Sequence, residues 1–326
     1  MKCLPPICLF FLSLPLLAIS QTFPQTDISN GLIKASLYLP DSTSGYYRST
    51  RFDWSGVVKS LEYKGHSYFG EWNKKYDPKL HDAITGPVEE FQPIGYDSAA
   101  VGDEFFKIGV GVLHRLTDKP YSFATLYPVA QPGAWKVKAE KDQVEFTHTL
   151  QDALGHAYTY KKTVRLVKGK PELVLEHRLI NTGTQALETK VYDHNFFVID
   201  SQATGPMIRI SFPFEPKDGG VSHGLGTIGE IRGTQISYLR TLENNESMYI
   251  NDLTGYSNDV ADYNIRIENL RTGAGVHISG DKPLSRVVFW SCPTTSCPEP
   301  YITVKAAPGQ TFTWKITYRF YEINKE

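Results

Sequence analysis

The most constraining feature of this chain is an alternation of large apolar and polar side chains with a period of two. Its longest run lies at positions 311–320, where every second residue is aromatic or aliphatic: Phe312, Trp314, Ile316, Tyr318 and Phe320. A strand places alternate residues on one face, whereas a helix would scatter these side chains around its circumference. The pattern therefore predicts a long strand with one buried aromatic face.

Strand-like runs and turn signals recur along the chain. Shorter alternating or apolar runs occur at 158–166, 173–179, 191–199 and 287–290. Polar segments bearing glycine or proline separate the runs, at 152–155, 168–171, 181–183, 271–273 and 308–309. Runs with helical periodicity and caps are almost absent. Many short strands with frequent turns are typical of an all-β sandwich or barrel, and the lack of a Ser/Gly-rich linker predicts a single domain.

The N-terminus has the features of an export signal. Lys2 supplies a positive start, an apolar run covers Ile7–Ile19, and small residues precede Gln21. This order predicts a secretory signal peptide over residues 1–20, a mature domain over 21–326 and a periplasmic or secreted location. A spanning helix needs about 20 apolar residues, and no run in the chain reaches that length, so we expect no membrane span.

The charge balance limits the classes of partner. With 34 basic and 35 acidic residues the chain has a formal net charge of −1. This balance provides no electrostatic attraction to nucleic acid or to an anionic membrane, so neither is expected as a partner. The aromatic content of 13% suits both a β-sandwich core and stacking on sugar rings.

Cys292 and Cys297 are the only cysteines that follow the predicted signal peptide. An even pair in an exported protein favours a local disulfide, with free thiols as the alternative. Two cysteines are too few for a four-cysteine zinc site, and no histidine pair lies nearby at ligand spacing. We therefore expect no metal site.

The first candidate cluster is His194 with Asn195, inside an otherwise apolar strand. Asp193 and Asn195 should face one side of that strand and His194 the other. Polar groups in such a place need partners or a cleft. An imidazole, with an ordinary pKa near 6.5, suits acid–base catalysis, although a core histidine bonded to a carbonyl explains the pattern equally well.

The second cluster is Glu299, which lies between Pro298 and Pro300. Each proline fixes its own φ and restricts the residue before it, so the backbone is rigid enough to aim a carboxylate. A glutamate in a surface loop is the simpler explanation of this segment taken alone.

The third cluster is Arg51, Asp53 and Trp54, which together offer a donor, an acceptor and an aromatic face. A sugar site uses this mixture, although a surface ion pair beside a buried tryptophan would also produce it. The irregular stretch 71–96 predicts a long loop, and long loops on a rigid β scaffold commonly carry site residues. It contains His81 and Glu90, which are further candidates for substrate binding.

Several other chemistries find no motif in this sequence. There is no Gly-Lys-Ser/Thr loop for phosphates, no Gly-x-Ser-x-Gly elbow for an acyl-transfer serine and no His-Glu-x-x-His pair for zinc.

Taken in order, these clusters resemble the aldose 1-epimerase (galactose mutarotase) superfamily. Segment 193–197, Asp-His-Asn-Phe-Phe, is similar to the family's Asn-His-x-x-Phe segment, whose histidine is the general acid. Phe289-Trp290, Pro298-Glu299-Pro300 and Pro308-Gly309 resemble its C-terminal block, in which a Glu-Pro carries the general base. Arg51 lies where the family often has a substrate-binding arginine, and His81 roughly where a second histidine is expected.

The resemblance implies a β-supersandwich of large antiparallel sheets with an open sugar cleft. It also implies an isomerase that interconverts the α and β anomers of a sugar, with His194 protonated as the acid and Glu299 ionised as the base. Activity should then fall on both sides of neutrality. No cofactor is expected because both steps are proton transfers. The expected partner is a monosaccharide or glycan, and the expected state is a monomer or weak dimer.

The chain departs from the family pattern at three places. His81-Asp82-Ala83 replaces the usual His-Gly-Gly, Asp193 replaces an asparagine, and residues 293–296 form an insertion. Two alternatives use the same fold: a non-catalytic carbohydrate-binding protein, and a polysaccharide lyase or glycosidase. A glycosidase would need two carboxylates, for which Glu89 or Glu90 could pair with Glu299.

Overall fold

The structure is a computed structural model that describes residues 22–323. The predicted signal peptide at 1–20 lies outside the described residues. The first thirteen strands of the described part are β1 (Gln25–Ser29), β2 (Ile33–Tyr38), β3 (Val57–Tyr63), β4 (His66–Phe69), β5 (Val88–Phe91), β6 (Glu104–Lys107), β7 (Gly111–His114), β8 (Val129–Gln131), β9 (Ala134–Ala139), β10 (Gln143–Gln151), β11 (Ala157–Leu166), β12 (Glu172–Asn181) and β13 (Leu187–His194).

Twelve further strands complete this part of the chain. They are β14 (Ile208–Ser211), β15 (Lys217–Asp218), β16 (Ser222–His223), β17 (Gly229–Arg232), β18 (Gln235–Tyr238), β19 (Met248–Ile250), β20 (Leu253–Thr254), β21 (Asn264–Asn269), β22 (Ala274–Gly280), β23 (Arg286–Cys292), β24 (Thr295–Ala306) and β25 (Thr311–Glu322). Two short 3-10 segments are Ile199–Ser201 and Val260–Asp262. None of the helical segments described is long and apolar enough to cross a membrane.

Two large antiparallel sheets form the body of the molecule. The ten-stranded sheet has the order β17-β18-β14-β21-β22-β25-β12-β11-β10-β9, and the six-stranded sheet has the order β16-β19-β23-β24-β13-β5. Smaller sheets are β1-β2-β3-β4, β6-β7-β8 and β15-β20. One hydrophobic cluster contains side chains from both large sheets, so these sheets pack on each other. The prediction of an all-β fold with large antiparallel sheets is confirmed.

The alternating run that opened the sequence argument forms β25, in the middle of the ten-stranded sheet between β22 and β12. Trp314, Ile316, Tyr318 and Phe320 are buried, as predicted. Burial of each such side chain stabilises the fold by about 1.5–3 kcal/mol, which explains why this strand is so strongly patterned.

The six-stranded sheet has two different faces. On β13 and β24, Val191 and Ile302 point into the core shared with the ten-stranded sheet. Their neighbours Tyr192 and Tyr301 point to the opposite face, because alternate side chains of a strand point to opposite sides. A second buried cluster, formed mainly by loop residues between 46 and 127, covers this outer face.

Two predicted boundaries differ from the structure. The strand expected over 191–199 ends at His194, and Phe196 has a positive φ of 39° that is incompatible with an extended strand. The loop expected over 71–96 contains β5, which pairs with β13 at the edge of the six-stranded sheet. Adjacent charged residues, Glu89 and Glu90, hide this strand from a search for hydrophobic alternation.

Candidate active site

A cleft of about 600 Å³ opens on the outer face of the six-stranded sheet. Strand residues form its floor: Tyr192 and His194 from β13, Glu299 and Tyr301 from β24, and Trp290 from β23. Loop residues form its walls, and they include Arg51, Asp82, Tyr121 and Phe123. Its volume lies in the range of small-molecule sites.

The local sequence explains why β13 and β24 separate at this point. Their ladder ends at the pair Tyr192↔Tyr301. Beyond it, β24 continues as Pro300, Glu299 and Pro298, paired with β23 alone. Prolines have no N–H to donate to a further ladder, so the two strands can part and leave Glu299 facing the cleft.

Gly86 allows the segment before β5 to pass close to the cleft end of β13. A Cβ at Gly86 would lie 2.3 Å from the carbonyl oxygen of Asn195 and 2.8 Å from that of His194. Since real Cβ atoms do not approach so closely, the segment before β5 can pass the His194 backbone only because residue 86 is glycine.

His194 and Glu299, the two predicted catalytic residues, lie together in the cleft. His194 Nε2 is 3.4 Å from Glu299 Oε1. The imidazole stacks on Phe196, with ring centroids 3.7 Å apart and an interplanar angle of 8°. Both residues are nearly buried, at 3% and 4% exposure, so the pair is oriented by packing and screened from bulk water.

Burial sets the protonation of this pair. It lowers the pKa of His194 well below its ordinary value, and the positive charge of Arg51 lowers it further. Burial also raises the pKa of Glu299 to about 8, although Arg51 opposes that change. At neutral pH the imidazole is therefore neutral and the carboxyl carries the proton, the reverse of the expected His194 cation and Glu299 anion. Both arrangements hold the same single proton.

Arg51 is fixed in the cleft wall by three acceptors. Its Nε donates to Glu90 Oε2 at 2.7 Å, its Nη2 donates to the hydroxyl of Tyr192 at 3.0 Å, and its Nη1 pairs with Asp82. The guanidinium also lies 4.1 Å from the ring centroid of Phe123, a cation–π contact. Arg51 and Glu90, both predicted to bind substrate, thus line the cleft as one rigid unit.

His81, also predicted to bind substrate, does not line the cleft. Its Nε2 is 3.1 Å from Asp82 Oδ2. Burial alone would raise the pKa of Asp82, but the hydrogen bond from His81 and the charge of Arg51 outweigh burial and lower it to about 2. Asp82 therefore stays ionised, and His81 orients it.

Sequence reasoning missed Lys107, which lies beneath this array and is fully buried. Its Nζ donates to the carbonyl of Arg51 at 2.6 Å and to the hydroxyl of Tyr121 at 2.8 Å, and lies 3.7 Å from Glu90 Oε1. Burial lowers the pKa of Lys107 to about 8, while the attraction of Glu90 opposes the shift. A lysine within the apolar run 105–108 was the available signal. Asp82 and Tyr192 were missed as well.

Asp53 and Trp54, predicted to bind substrate, do not line this cleft. The carboxylate of Asp53 accepts hydrogen bonds from the backbone N–H and the hydroxyl of Ser55, at 2.9 and 2.7 Å, and from Tyr160. The indole of Trp54 donates to the carbonyl of Ser49 at 2.9 Å. Both side chains hold the loop that carries Arg51, because their polar atoms are satisfied inside the protein.

Asn195 is also placed away from the cleft. Its side-chain amide donates to the carbonyl of Pro298 at 2.6 Å and accepts from the hydroxyl of Tyr318 at 2.8 Å. It points to the core side and His194 to the cleft side, as the strand pattern predicted. Asn195 therefore links β24 to the ten-stranded sheet rather than binding substrate.

The predicted disulfide between Cys292 and Cys297 is wrong: both thiols are free. The two residues lie on the β23–β24 hairpin, where Cys292 is opposite Thr295 and Cys297 is opposite Trp290. Diagonal neighbours in a sheet are about 7–8 Å apart, beyond the usual span of a disulfide. The thiol of Cys297 instead accepts from the backbone N–H of Phe196 at 3.1 Å and supports the segment after His194.

Within residues 22–323, no three His, Cys, Asp or Glu side chains are arranged to hold a metal ion.

Solved structures that share this fold include two described as galactose mutarotase-like proteins and one described as an aldose epimerase homologue. One from Clostridium acetobutylicum has a TM-score of 0.56 at 13% identity and covers 92% of this chain and 95% of its own. An aldose epimerase homologue from C. elegans has a TM-score of 0.55 at 13% identity, with 94% and 100% covered. One from Lactobacillus casei ATCC 334 has a TM-score of 0.52 at 13% identity, with 91% and 100% covered.

No protein-family model and no curated protein matches the chain. The structural likeness extends over nearly all of the described residues and confirms the predicted fold. The chain is therefore an all-β protein with the galactose mutarotase-like fold, and a histidine and a glutamate lie 3.4 Å apart in its cleft.

Proposed function

We propose that this protein is an aldose 1-epimerase-like isomerase that interconverts the α and β anomers of a sugar. The observation that carries the proposal is the 3.4 Å separation between His194 Nε2 and Glu299 Oε1 in a cleft of about 600 Å³. We also propose that the protein acts after export, on the basis of residues 1–20.

The chemistry of ring opening requires this kind of pair. The anomeric hydroxyl loses its proton while the bond between the anomeric carbon and the ring oxygen breaks and the ring oxygen gains a proton. Both oxygens are bonded to the same carbon, so the base and the acid must be neighbours. Rotation of the aldehyde and the reverse transfers then close the ring on the other face.

The single proton of the pair serves this cycle in either arrangement. One group gives its proton to the ring oxygen while the other receives the hydroxyl proton, so the total number of protons on His194 and Glu299 does not change. In the assignment implied by family resemblance, Glu299 is the base and His194 is the acid. Each positioned acid or base contributes on the order of 10²–10⁴-fold to the rate.

The cleft walls suit a sugar. Trp290 offers an aromatic surface on the floor, and Phe123 is 46% exposed at the wall. Charged groups of the Arg51–Glu90 array can exchange hydrogen bonds with hydroxyls. Aromatic faces beside fixed polar groups bind the alternating apolar and polar surfaces of a sugar ring.

The geometry favours isomerisation over hydrolysis of a glycosidic bond. Glu90 is the second carboxylate that a glycosidase would pair with Glu299. Its oxygens are already engaged by Arg51, Tyr192 and Lys107. A carboxylate held by three donors is poorly placed to act as a nucleophile or base.

Polarimetry on freshly dissolved α-D-galactose and α-D-glucose tests the proposal. Glu299→Gln and His194→Asn should each remove the acceleration of mutarotation. Glu188→Gln, the same change at an exposed position of β13, is the matched control and should keep the wild-type rate. Acceleration that survives in both cleft variants would refute the assignment.

Two further results would replace the proposal. Sugar binding in calorimetry without any rate effect of the wild type would identify a binding protein. New reducing ends from a polysaccharide would identify a glycosidase.

A further inference from the structure

A second cavity, of about 640 Å³, lies beside the loop that carries Arg51. Arg48, three residues before Arg51, and Lys79 line it, together with Trp54 and Tyr127. The ring of Tyr127 stacks on that of Tyr121, with centroids 5.5 Å apart and an interplanar angle of 11°. Because Tyr121 lines the active-site cleft, a stacked tyrosine pair separates the two cavities.

The charges of the second cavity have one sign. Arg48 and Lys79 are cationic, and no carboxylate among the described residues lines the cavity. Neither cation forms a salt bridge within residues 22–323. Arg48 Nε is buried and has no hydrogen-bond partner in that part of the chain. Two cations without a carboxylate partner make the cavity positive, and a positive cavity favours an anionic ligand.

The acid that precedes the lining residues Ser42 and Thr43 is Asp41, and among the described residues it forms no salt bridge with either cation. Its Oδ1 accepts from the backbone N–H groups of Thr43 and Ser44, at 2.8 and 2.7 Å. These hydrogen bonds, that of Ser44 first, lower the pKa of Asp41 to about 2. The carboxylate is therefore committed to the turn at 41–44, whose Thr43 lines the cavity.

Apart from Ser42 and Thr43, the remaining lining is apolar and aromatic. Trp54 and Tyr127 are buried at 4% and 3% exposure, whereas Leu126 and Val129 are 45% and 38% exposed. A site with two cations beside an apolar wall fits a ligand that joins an anionic group to the apolar face of a ring. Guanidinium groups bind carboxylate and sulfate oxygens with directional, charge-assisted hydrogen bonds.

We propose that this cavity is a second carbohydrate site, which takes an acidic sugar unit bearing a carboxylate or a sulfate. Arg48 and Lys79 bind the anionic group, and the wall formed by Leu126 and Val129 contacts the ring. The requirement for an anion rests on the cavity itself, whereas the sugar nature of the ligand rests on the proposed function.

Binding at the two cavities can be monitored separately by NMR, because Trp54 lines the second cavity and Trp290 lines the cleft. Titration with methyl β-D-glucuronide should shift the assigned indole N–H signal of Trp54. Methyl β-D-glucoside, which lacks the charge, should leave that signal in place. The double variant Arg48→Gln/Lys79→Gln should weaken glucuronide binding at Trp54 on the order of 10- to 100-fold, as expected for lost charged hydrogen bonds.

A matched control is Lys136→Gln/Lys138→Gln, which removes two exposed cations from β9 and should bind like the wild type. An unmoved Trp54 signal, or wild-type affinity in the Arg48/Lys79 variant, would overturn the proposal. Equal affinity for inorganic sulfate would overturn the sugar assignment. Polarimetry could show no acceleration of mutarotation while glucuronide still shifts the Trp54 signal in a way that depends on Arg48 and Lys79. That result would refute the proposed isomerase but support the anion site.

Discussion

The two faces of the β5–β13 ladder carry the same kinds of residue in two different environments. Glu90 and His194 point into the cleft, and their neighbours Glu89 and Asp193 point into the core between the large sheets. The register pairs Asp193 with Glu89 directly. One residue step therefore separates a candidate catalytic group from a core group, because alternate side chains of a strand lie on opposite faces.

On the core side, the acidic residues are paired with a cation or protonated, and they do not face a cleft that a ligand could enter. Glu89 forms a salt bridge with the fully buried Lys162, and His177 Nε2 lies 3.3 Å from its other oxygen. Neither carboxyl oxygen of Asp193 has a hydrogen-bond partner among the described residues. Burial, reinforced by the charge of Glu89, raises the pKa of Asp193 well above its ordinary value.

The comparison shows that a shifted pKa does not by itself identify a site. Burial displaces the pKa values of His194, Glu299 and Asp193 in the direction of their neutral forms. The cleft face differs because its shifted groups meet each other beside a cavity. Geometry therefore separates the candidate catalytic pair from the core carboxyls.

The largest effect should come from comparing adjacent residues on the two faces. His194→Asn should lower the rate of mutarotation on the order of 10²–10⁴-fold, because it removes an acid–base group. Asp193→Asn, one residue away on the core face, should leave that rate within about twofold. Polarimetry measures both, with circular dichroism to verify folding. Equal losses of rate in the two variants would contradict the inference that only the cleft face takes part in the reaction.

The buried salt bridge on the core face can be tested by removing its cation, Lys162. Lys162→Met should destabilise the protein by about 3–5 kcal/mol in urea unfolding, because it leaves Glu89 buried without its partner. Lys161→Met removes the neighbouring, half-exposed lysine of β11, which pairs with Glu145, and should cost no more than about 1 kcal/mol. A similar cost for the two substitutions would contradict the buried ion pair.

The cleft face should show its shared proton in the pH dependence of the rate. The active pair holds one proton, so activity should fall as pH rises through about 8, where Glu299 loses it. On the acid side, activity should persist below pH 6.5, because the pKa of His194 is lowered well below its ordinary value. Initial rates across pH 4–10 measure this profile. An acid limb near pH 6.5 would instead support an unperturbed histidine.

The most gradual effect should appear in the pH dependence of stability. Between its ordinary pKa of 3.8 and its raised pKa in the folded protein, Asp193 releases a proton on unfolding, so stability falls as pH rises through that range. Asp193→Asn should remove this contribution, at most about 1.4 kcal/mol per pH unit. Urea unfolding at pH 5 and pH 8 should therefore show a greater relative gain for the variant at pH 8. A pH-independent difference would argue against a neutral Asp193 in the fold.

Local patterns predicted five of the 25 strands described, namely β11, β12, β13, β23 and β25, which include the long central strands of the two large sheets. The alternation at 311–320 gave β25, and the turns around glycine and proline separated β10, β11, β12 and β22 where expected. The sequence pattern did not predict β5, because Glu89 and Glu90 interrupt its apolar residues. A strand that is buried on both faces and carries charged residues has no local signature.

The sequence by itself determined an all-β fold, since period-two alternation is a local property of the chain. Short motifs that resemble a known family also singled out His194 and Glu299 as candidates for acid–base catalysis. Tertiary structure alone decided which of the candidate site residues lie together in the cleft. It joined His194 to Glu299, added Asp82, Lys107 and Tyr192, and placed Asp53, Trp54 and Asn195 outside the cleft, as reported above. It also kept Cys292 and Cys297 apart. These outcomes depend on strand register and on contacts between distant segments, and neither is encoded in local periodicity.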